Sequence, residues 1–440
     1  MFVLFDHFCQ QVLTHRQPES RIVLALSGGV DSRVLLDLLA RFREAHPQQK
    51  VSAVHVHHGL SVNADIWLEK CREWCSEANI DFACHRVSLD LQGDSVEQAA
   101  REARYSVLKQ HLAEGDLLMT GQHSGDQLET VLLALKRGSG PKGLSAMAEM
   151  MPLEQGYLFR PLLSVSRENI ESYAKQHALE WVEDESNKDT RYDRNFLRQQ
   201  IVPTLKARWP SIENTIARSA LLCAQQEQLL SELLADKLEQ CVAQDSSLII
   251  DALIPLSENM RLQLIRLWLD KLGVRMPSSR QLALVWPQVA MAQQDANPCL
   301  NLNQGELRRF EQRIYYIGAW QDVSQWQAQL SLDTPLLLPD GLGRLSLERC
   351  SEVSSLGLML PTDGQPITVH FEPQGLSATP LERAHSRKLK KLFQEYGVPS
   401  WQRRRLPIVM YGDQVAAIAG LFVSKKFSGR ECELIWVKNY

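Results

Sequence analysis

Ile22-Val23-Leu24-Ala25-Leu26-Ser27-Gly28-Gly29-Val30-Asp31-Ser32 runs from an aliphatic stretch through two glycines into Val34, Leu35, Leu38, Leu39 and Phe42, apolar positions three and four apart. The first part reads as a strand buried on both faces and the last as a helix packed on it. The turn predicted between them suits an anion. Its glycines let backbone N–H groups approach phosphate oxygens, the helix amino terminus adds partial positive charge, and Ser27 and Ser32 bring hydroxyl donors. Asp31 repels bare phosphate, so it calls for Mg2+ or a polar substrate group beside it, and the lysine of a GxxxxGK loop is absent. The alternative is a plain strand-to-helix turn capped by Ser or Asp.

The pattern repeats outward from this stretch. Val51 to Val56, Asp81 to Val87 and Asp116 to Thr120 are further candidate strands. Trp67, Cys71, Trp74, Cys75 and Ala78 mark one amphipathic helix face, Val96, Ala99, Ala100, Ala103 and Val107 a second, and Leu128, Val131, Leu132 and Leu135 a third. Strands alternating with helices predict an α/β fold, a doubly wound parallel sheet whose ligands sit at the carboxyl ends of the strands. His55, His57 and His58 close the second strand, where such a fold brings a nucleotide. Alternation points His55 and His57 to one face and His58 to the other, with no acidic or cysteine partner adjacent. Hydrogen bonding near a nucleotide or a structural role fits them better than a metal.

Beyond Ser211, helical stretches such as IARSALLCAQQEQLLSELLADKLEQ and NMRLQLIRLWLDKLG predict a mainly helical module. Ser324 to Pro339 reads as a linker, and the remainder mixes short strands with one basic helix. IVMY and QVAAIAG about Gly412-Asp413 read as a hairpin. The boundaries expected are 1–210, 211–325 and 340–440, and 440 residues suffice for three cores.

Hydrophobic residues at 44% and charged residues at 23% exclude a disordered or fibrous chain. No apolar run approaches the roughly 20 residues of a membrane span, and the amino terminus lacks the basic segment and cleavage site of a secretory signal. Nine cysteines without a CxxC make no disulfide or metal framework, which fits a reducing cytoplasm. Cys71 and Cys75, four apart, belong to a buried helix face. The net charge of −4 hides two basic islands: six basic against two acidic residues from Asn187 to Trp209, and eight against two from Glu382 to Arg405. Locality, not the sum, marks a nucleic-acid surface.

Two further segments carry candidate chemistry: Gly121-Gln122-His123-Ser124-Gly125-Asp126-Gln127-Leu128-Glu129-Thr130, and Asp184-Glu185-Ser186-Asn187-Lys188-Asp189-Thr190-Arg191-Tyr192-Asp193-Arg194-Asn195-Phe196-Leu197-Arg198. The first reads as a helix start with Asp126 and, three residues on, Glu129 as a capping box. In the second, Tyr192 suits stacking on a base, Asn187 and Asn195 suit polar edges, and Arg191, Arg194 and Arg198 suit phosphates or an oxyanion. At i, i+3 and i+7 the arginines equally suit one solvated helix side. In RKLKKLFQEYGVPSWQRRRLP, Leu389, Leu392, Phe393 and Tyr396 form an apolar stripe while Arg387, Lys388, Lys390 and Lys391 face elsewhere, and Gly397 and Pro399 end the helix. Trp401 beside Arg403, Arg404 and Arg405 extends this surface if it is exposed.

Ser27 to Ser32 is similar to the SGGxDS pyrophosphate loop of enzymes that split ATP between its α and β phosphates. Gly121 to Thr130 resembles the HxxDDQxET segment of tRNA-modifying members of that family. Asp184 to Arg198 is similar to the DxSNxDxxYxRNxxR signature of the tRNA(Ile)-lysidine synthetase family, whose longer form also agrees with the carboxy-terminal stretch. The resemblance spans nearly the whole chain. It implies ATP-dependent ligation of free L-lysine to carbon 2 of the wobble cytidine of tRNA(Ile) with a CAU anticodon, through an adenylated tRNA, with Mg2+ as cofactor, in the cytoplasm and without a membrane.

Carried onto this sequence, the resemblance implies Asp31, Asp126, Glu129, Asn187, Arg194 and Asn195 as catalytic residues. Ser27, Gly28, Gly29, Val30, Asp31, Ser32 and His57 would bind ATP, with Asp31 also the metal ligand. Arg191, Arg198, Arg387, Lys388, Lys390, Lys391 and Arg403 would bind tRNA. The carboxylate that faces lysine is left open between Asp126 and Glu129, and so is the oligomeric state, a homodimer included. Where the family pairs two aspartates this chain has Gly125-Asp126, so Asp31, Asp126 and Glu129 must suffice. Of the rival readings, a tRNA thiolase calls for cysteines to carry sulfur or an iron–sulfur cluster, and no CxxC is present. A glutamine-dependent amidotransferase lacks its amino-terminal nucleophile or glutaminase module. An RNA-binding protein with a silent loop has Gly125 in its favour.

Overall fold

The four apolar runs of the amino-terminal third become β1 (Ile22–Ala25), β2 (Val51–His57), β3 (Asp81–Arg86) and β4 (Leu117–Met119), all parallel. They belong to a computed structural model that describes residues 3–17, 19–88, 96–293, 297–349, 357–361 and 365–438. The chain clusters into two compact units, Met1–Glu232 and Leu233–Tyr440.

In the first unit the helices are α1 (Leu4–His15), α2 (Val30–Ala45), α3 (Ala64–Glu77), α4 (Val96–Gln110), α5 (Ser124–Lys136) and the single turn α6 (Pro141–Leu144). A hairpin the sequence did not announce, β5 (Met150–Leu153) and β6 (Gly156–Phe159), extends the sheet, and α7 (Arg167–Gln176) follows. The strand order is β3-β2-β1-β4-β6-β5, with β5 the antiparallel edge. Ile22 and Leu24 of β1 pack into one core with Phe8, Leu35 and Phe42, while Val23 faces a second core with Val54, Leu118 and Leu158. Both faces of β1 are therefore covered, which is why its sequence is apolar without alternation.

The chain leaves β1 toward β2 and β3 on one side and returns to β4 on the other. The carboxyl ends of β1 and β4 thus flank the switch point where an open α/β sheet leaves a crevice. The expected helix faces form, with Leu68, Cys71, Trp74 and Cys75 buried on α3 and Leu128 and Val131 buried on α5. Leu135 instead lies exposed at the end of α5. The side chain of Val96 falls outside the described residues.

Downstream come a 3-10 turn (Glu185–Lys188), α8 (Asp193–Phe196), a π turn (Leu197–Ile201), α9 (Val202–Arg208) and α10 (Ile212–Cys241). Pro203 at the start of α9 has no N–H to give, and the helix widens just before it. The one-sided arginine helix suggested by the spacing is absent: Arg191 precedes α8, and only Arg194 and Arg198 lie within the helical turns.

The second unit begins within α10 and continues with β7 (Leu248–Ile249), α11 (Ile250–Leu253), α12 (Glu258–Lys271) and α13 (Ser279–Leu284). Here the mainly helical expectation missed a four-stranded antiparallel sheet, β7-β10-β9-β8, with β8 (Cys299–Leu302), β9 (Gly305–Phe310) and β10 (Arg313–Gly318). Arginines and a glutamate in β9 mask its alternation.

Ser324 to Pro339 is not a free linker. It supplies β11 (Gln327–Gln329) and β12 (Leu336–Leu337), and Leu330 and Leu338 enter the carboxy-terminal core. Edge strands this short leave little periodicity to read. β13 (Arg344–Arg349), β14 (Gly357–Leu358), β15 (Ile367–His370), β16 (Ser377–Ala378), β17 (Arg387–Lys388), α14 (Leu389–Glu395), β18 (Ile408–Tyr411), β19 (Gln414–Ile418), β20 (Phe422–Val423) and β21 (Cys432–Val437) complete the unit. The hairpin forms as read, β18 pairing with β19 through Gly412 at φ +56°.

Candidate active site

The loop after β1 is locked by one hydroxyl. Ser32 Oγ accepts from the backbone N–H of Ser27 at 3.2 Å and of Gly28 at 3.1 Å, donates to Gly29 O at 3.0 Å, and lies 3.0 Å from Ser27 Oγ. Gly28 is at φ +91°, and a Cβ there would stand 2.8 Å from Val182 Cγ2, so glycine is required twice over. Val30 begins α2 and is buried beneath the loop. At the end of β4, a Cβ on Gly121 would meet Asp31 Cβ at 3.0 Å, so this glycine lets the strand end abut the loop.

Asp31 projects from the first turn of α2, and both its oxygens accept from Arg167 Nη1, at 3.0 and 2.7 Å. Burial pushes its carboxyl upward, opposed by His123 and Arg167. The start of α5 is capped by His123, whose Nδ1 accepts from Gly125 N at 3.1 Å while Asp126 Oδ2 accepts from His123 N at 3.0 Å. The capping box is therefore His123 with Asp126, not Asp126 with Glu129. A Cβ at position 125 would lie 2.8 Å from His123 Cε1, so the glycine that departs from the family pattern leaves room for this cap.

Glu129 is buried and accepts from Arg198 Nε at 2.7 Å and Nη2 at 2.9 Å, and Arg198 Nη2 also reaches Asp126 Oδ1 at 3.0 Å. Burial raises the Glu129 carboxyl and Arg198 opposes that rise. Arg194 Nη2 donates to Thr130 Oγ1 at 3.2 Å, and its Nε lies 3.5 Å from Glu129 Oε2 without hydrogen-bond alignment. Asn195 Nδ2 donates to Ser186 O at 2.9 Å and Asp189 O at 3.0 Å, stapling the turn that carries Asn187.

These groups meet around one cavity of about 1030 Å³. Ser27, Asp31, Ser32, His57, Asp126, Asn187, Arg194, Asn195 and Arg198 line it, as does Tyr192. Glu129 stands behind Arg198. Arg191 is elsewhere, exposed and paired with Asp189 at 2.7 Å. His55 Nδ1 donates to Leu26 O at 2.8 Å; His57 Nε2 is 3.2 Å from Asp65 Oδ1 but not aligned for a hydrogen bond. Among the described residues no group of three or more His, Cys, Asp or Glu could hold a metal.

Two cations of this site carried no motif. Arg167 reaches Asp31 from α7, and Arg104 lines the cavity from α4, its Nε donating to His58 Nε2 at 3.4 Å. An isolated arginine in a helical pattern reads as a solvated face until the fold turns it inward.

In the second unit Lys388, Lys390 and Lys391 are exposed, and Leu389, Leu392 and Phe393 are buried as expected. Arg387 is held by Glu395, which Arg383 also meets at 3.1 Å. Arg403 Nε donates to Val398 O at 3.0 Å, and the Trp401 ring packs 5.6 Å from Tyr315 and 6.1 Å from Phe310; both side chains are half-buried.

Three family models match the chain: a PP-loop domain over residues 4–205, a TilS substrate binding domain over 248–315 and a TilS substrate C-terminal domain over 367–438. The tRNA(Ile)-lysidine synthase of Vibrio vulnificus (strain CMCP6) is 56% identical over 439 residues, covering 100% of both chains. That of Vibrio parahaemolyticus serotype O3:K6 is 56% identical over 436 residues, 99% of each chain, and that of Photobacterium profundum 49% identical over 439 residues, 99% of this chain and 100% of its relative. Identity of this extent over essentially the whole chain makes it a member of the tRNA(Ile)-lysidine synthase family.

Proposed function

We propose that this chain ligates free lysine to carbon 2 of the wobble cytidine of tRNA(Ile) bearing a CAU anticodon, consuming ATP and releasing AMP and pyrophosphate. The observation that carries the reading is the shared cavity: Ser27, Asp31 and Ser32 of the phosphate loop and the cluster of Asp126, Arg194 and Arg198 line the same space. Replacing a ring carbonyl oxygen by an amine needs a better leaving group. That oxygen attacks the α phosphorus of ATP, pyrophosphate departs, and the ε-amine of lysine then adds at carbon 2 and expels AMP.

The two carboxylates that sequence left open differ in place. Asp126 borders the cavity, so it is the one assigned to orient the lysine ammonium and take its proton; Glu129 fixes Arg198 from behind. Arg194 and Arg198 stabilise charge that develops on phosphate or leaving oxygen, and Asn195 positions the turn bearing Asn187 and Tyr192, where the splayed base would stack. Among the described residues no cage of three ligands is at hand, so Mg2+ would arrive with ATP, and Asp31 would be its protein ligand. Bound there, it would offset the charge of the triphosphate.

tRNA would also contact Arg191 and the exposed Lys388, Lys390 and Lys391. The working division of labour is a catalytic segment at 1–210 and two tRNA-binding segments at 211–325 and 340–440. No helix among the described residues is long and apolar enough to cross a membrane, and action in a reducing cytoplasm fits the scattered cysteines.

Incubation with ATP, lysine and CAU-anticodon tRNA, followed by nucleoside mass spectrometry, tests the reading. Lysine-dependent AMP release with a lysine-adducted cytidine is expected. Sulfur incorporation, or no lysine dependence, would overturn it.

A further inference from the structure

Asp31, the carboxylate assigned to Mg2+, already has a cation. Arg167 Nη1 bridges both Asp31 oxygens at 3.0 and 2.7 Å, and the same guanidinium is tethered through Nε to Glu171 Oε1, one helical turn on, at 2.8 Å. Of the other groups turned toward Asp31, His123 Nε2 stands 4.0 Å away, beyond hydrogen-bond reach, and Arg198 is committed to Glu129 and Asp126. The Asp31 backbone is packed against the end of β4 at Gly121, where a Cβ would meet Asp31 Cβ at 3.0 Å, so the main chain of Asp31 is the confined partner. The Arg167 side chain is 39% exposed against 24% for Asp31, so the pair sits at the edge of the site and its cationic half is the movable one.

We propose that Arg167 is a resident counter-cation that competes with a divalent ion for Asp31, so that Asp31 captures an ion delivered on a nucleotide but resists the free ion. A divalent ion and the guanidinium draw on the same carboxylate charge and repel each other, so each weakens the other's hold on Asp31. Free ion must displace Arg167 alone, whereas an ion on ATP arrives with the triphosphate contacts of the loop. Arg167 is thus a positioning residue: it acts on Asp31, not on the reacting atoms. The inference rests on reading Ser27–Ser32 as a nucleotide loop.

Mn2+ serves as the probe, its binding to the full-length protein followed by electron paramagnetic resonance with and without a non-hydrolysable ATP analogue. Arg167→Ala should bind free Mn2+ about tenfold more tightly than the unaltered chain, and the difference should shrink when the analogue is present. Arg167→Lys, which keeps the charge and loses the fork, should fall between, and Glu171→Gln, which frees the tether, should shift the same way by less. Asp31→Ala should abolish the gain in every background. Unchanged Mn2+ affinity in Arg167→Ala with an intact circular dichroism spectrum, or a gain that persists in the double variant with Asp31→Ala, would overturn the proposal. Failure of the functional reading is separate: it appears as absent AMP release by the unaltered chain, whatever the Mn2+ titrations give.

Discussion

The cations of the cavity and those of α14 use the same chemistry in opposite ways. Around the cavity two guanidiniums are held by carboxylates of their own unit: Arg167 by Asp31, Arg198 by Glu129 and Asp126. On α14, Lys390 and Lys391 stand exposed, with Lys388 just before them, and among the described residues none of the three forms an ion pair. A paired, partly buried cation has fixed geometry and little response to salt; an exposed lysine is mobile and acts through a field that salt screens. The first suits a reaction that depends on placement, the second a phosphate backbone that must be gathered in many registers.

Removing one member of the paired set should break this contrast most visibly. Glu129→Gln leaves Arg198 with Asp126 alone and removes the buried carboxylate that Arg194 also approaches. Turnover should fall about a hundredfold. Stability should drop by about 2–3 kcal/mol, below the roughly 3–5 of a fully buried pair because Arg198 is partly exposed. Single-turnover AMP release and a urea midpoint read the two effects, and tRNA affinity at low salt should hold. Equal losses in affinity and turnover would mean that the cavity arginines gather tRNA as the lysines do.

The exposed set should fail in another manner. Neutralising Lys388, Lys390 and Lys391 together should weaken tRNA binding and flatten its dependence on salt, each lost phosphate contact lowering the slope by about one unit. Lysine-dependent AMP release at saturating tRNA should change little. A salt slope equal to that of the unaltered chain would reduce this helix to a solvated face and remove half of the contrast.

The smallest effect concerns the far side of the cavity. Burial, and then Arg104, push His58 down to about 4. The unfolded chain takes up this proton near pH 6.5, and the folded chain refuses it. The contribution of His58 to stability is thus complete above about pH 6.5 and is lost as pH falls from there toward 4. In His58→Gln the drop in melting temperature between pH 7.5 and pH 5 should shrink, by about 2 °C for a unit of this size. A drop as large as in the unaltered chain would mean that burial and Arg104 do not hold this histidine neutral.

Sequence by itself determined whatever local spacing encodes. The aliphatic run into Ser27-Gly28-Gly29 fixed a buried strand, a phosphate loop and a helix in one reading, because glycine conformation, helix polarity and apolar periodicity are properties of adjacent residues. The hairpin about Gly412 was legible for the same reason, and two signature segments named the family. Tertiary structure decided what lies between distant segments. Only the fold puts Arg167 on Asp31, 136 residues away, sets Glu129 behind Arg198 while leaving Asp126 at the cavity wall, and turns Trp401 onto Tyr315. It also separated Arg191 from Arg194 and Arg198, which helical spacing had put on one face, and drew Leu330 and Leu338 of Ser324–Pro339 into a core. An arginine or a short edge strand has the same local signature exposed or buried, so its role is settled by which surface the rest of the chain brings against it.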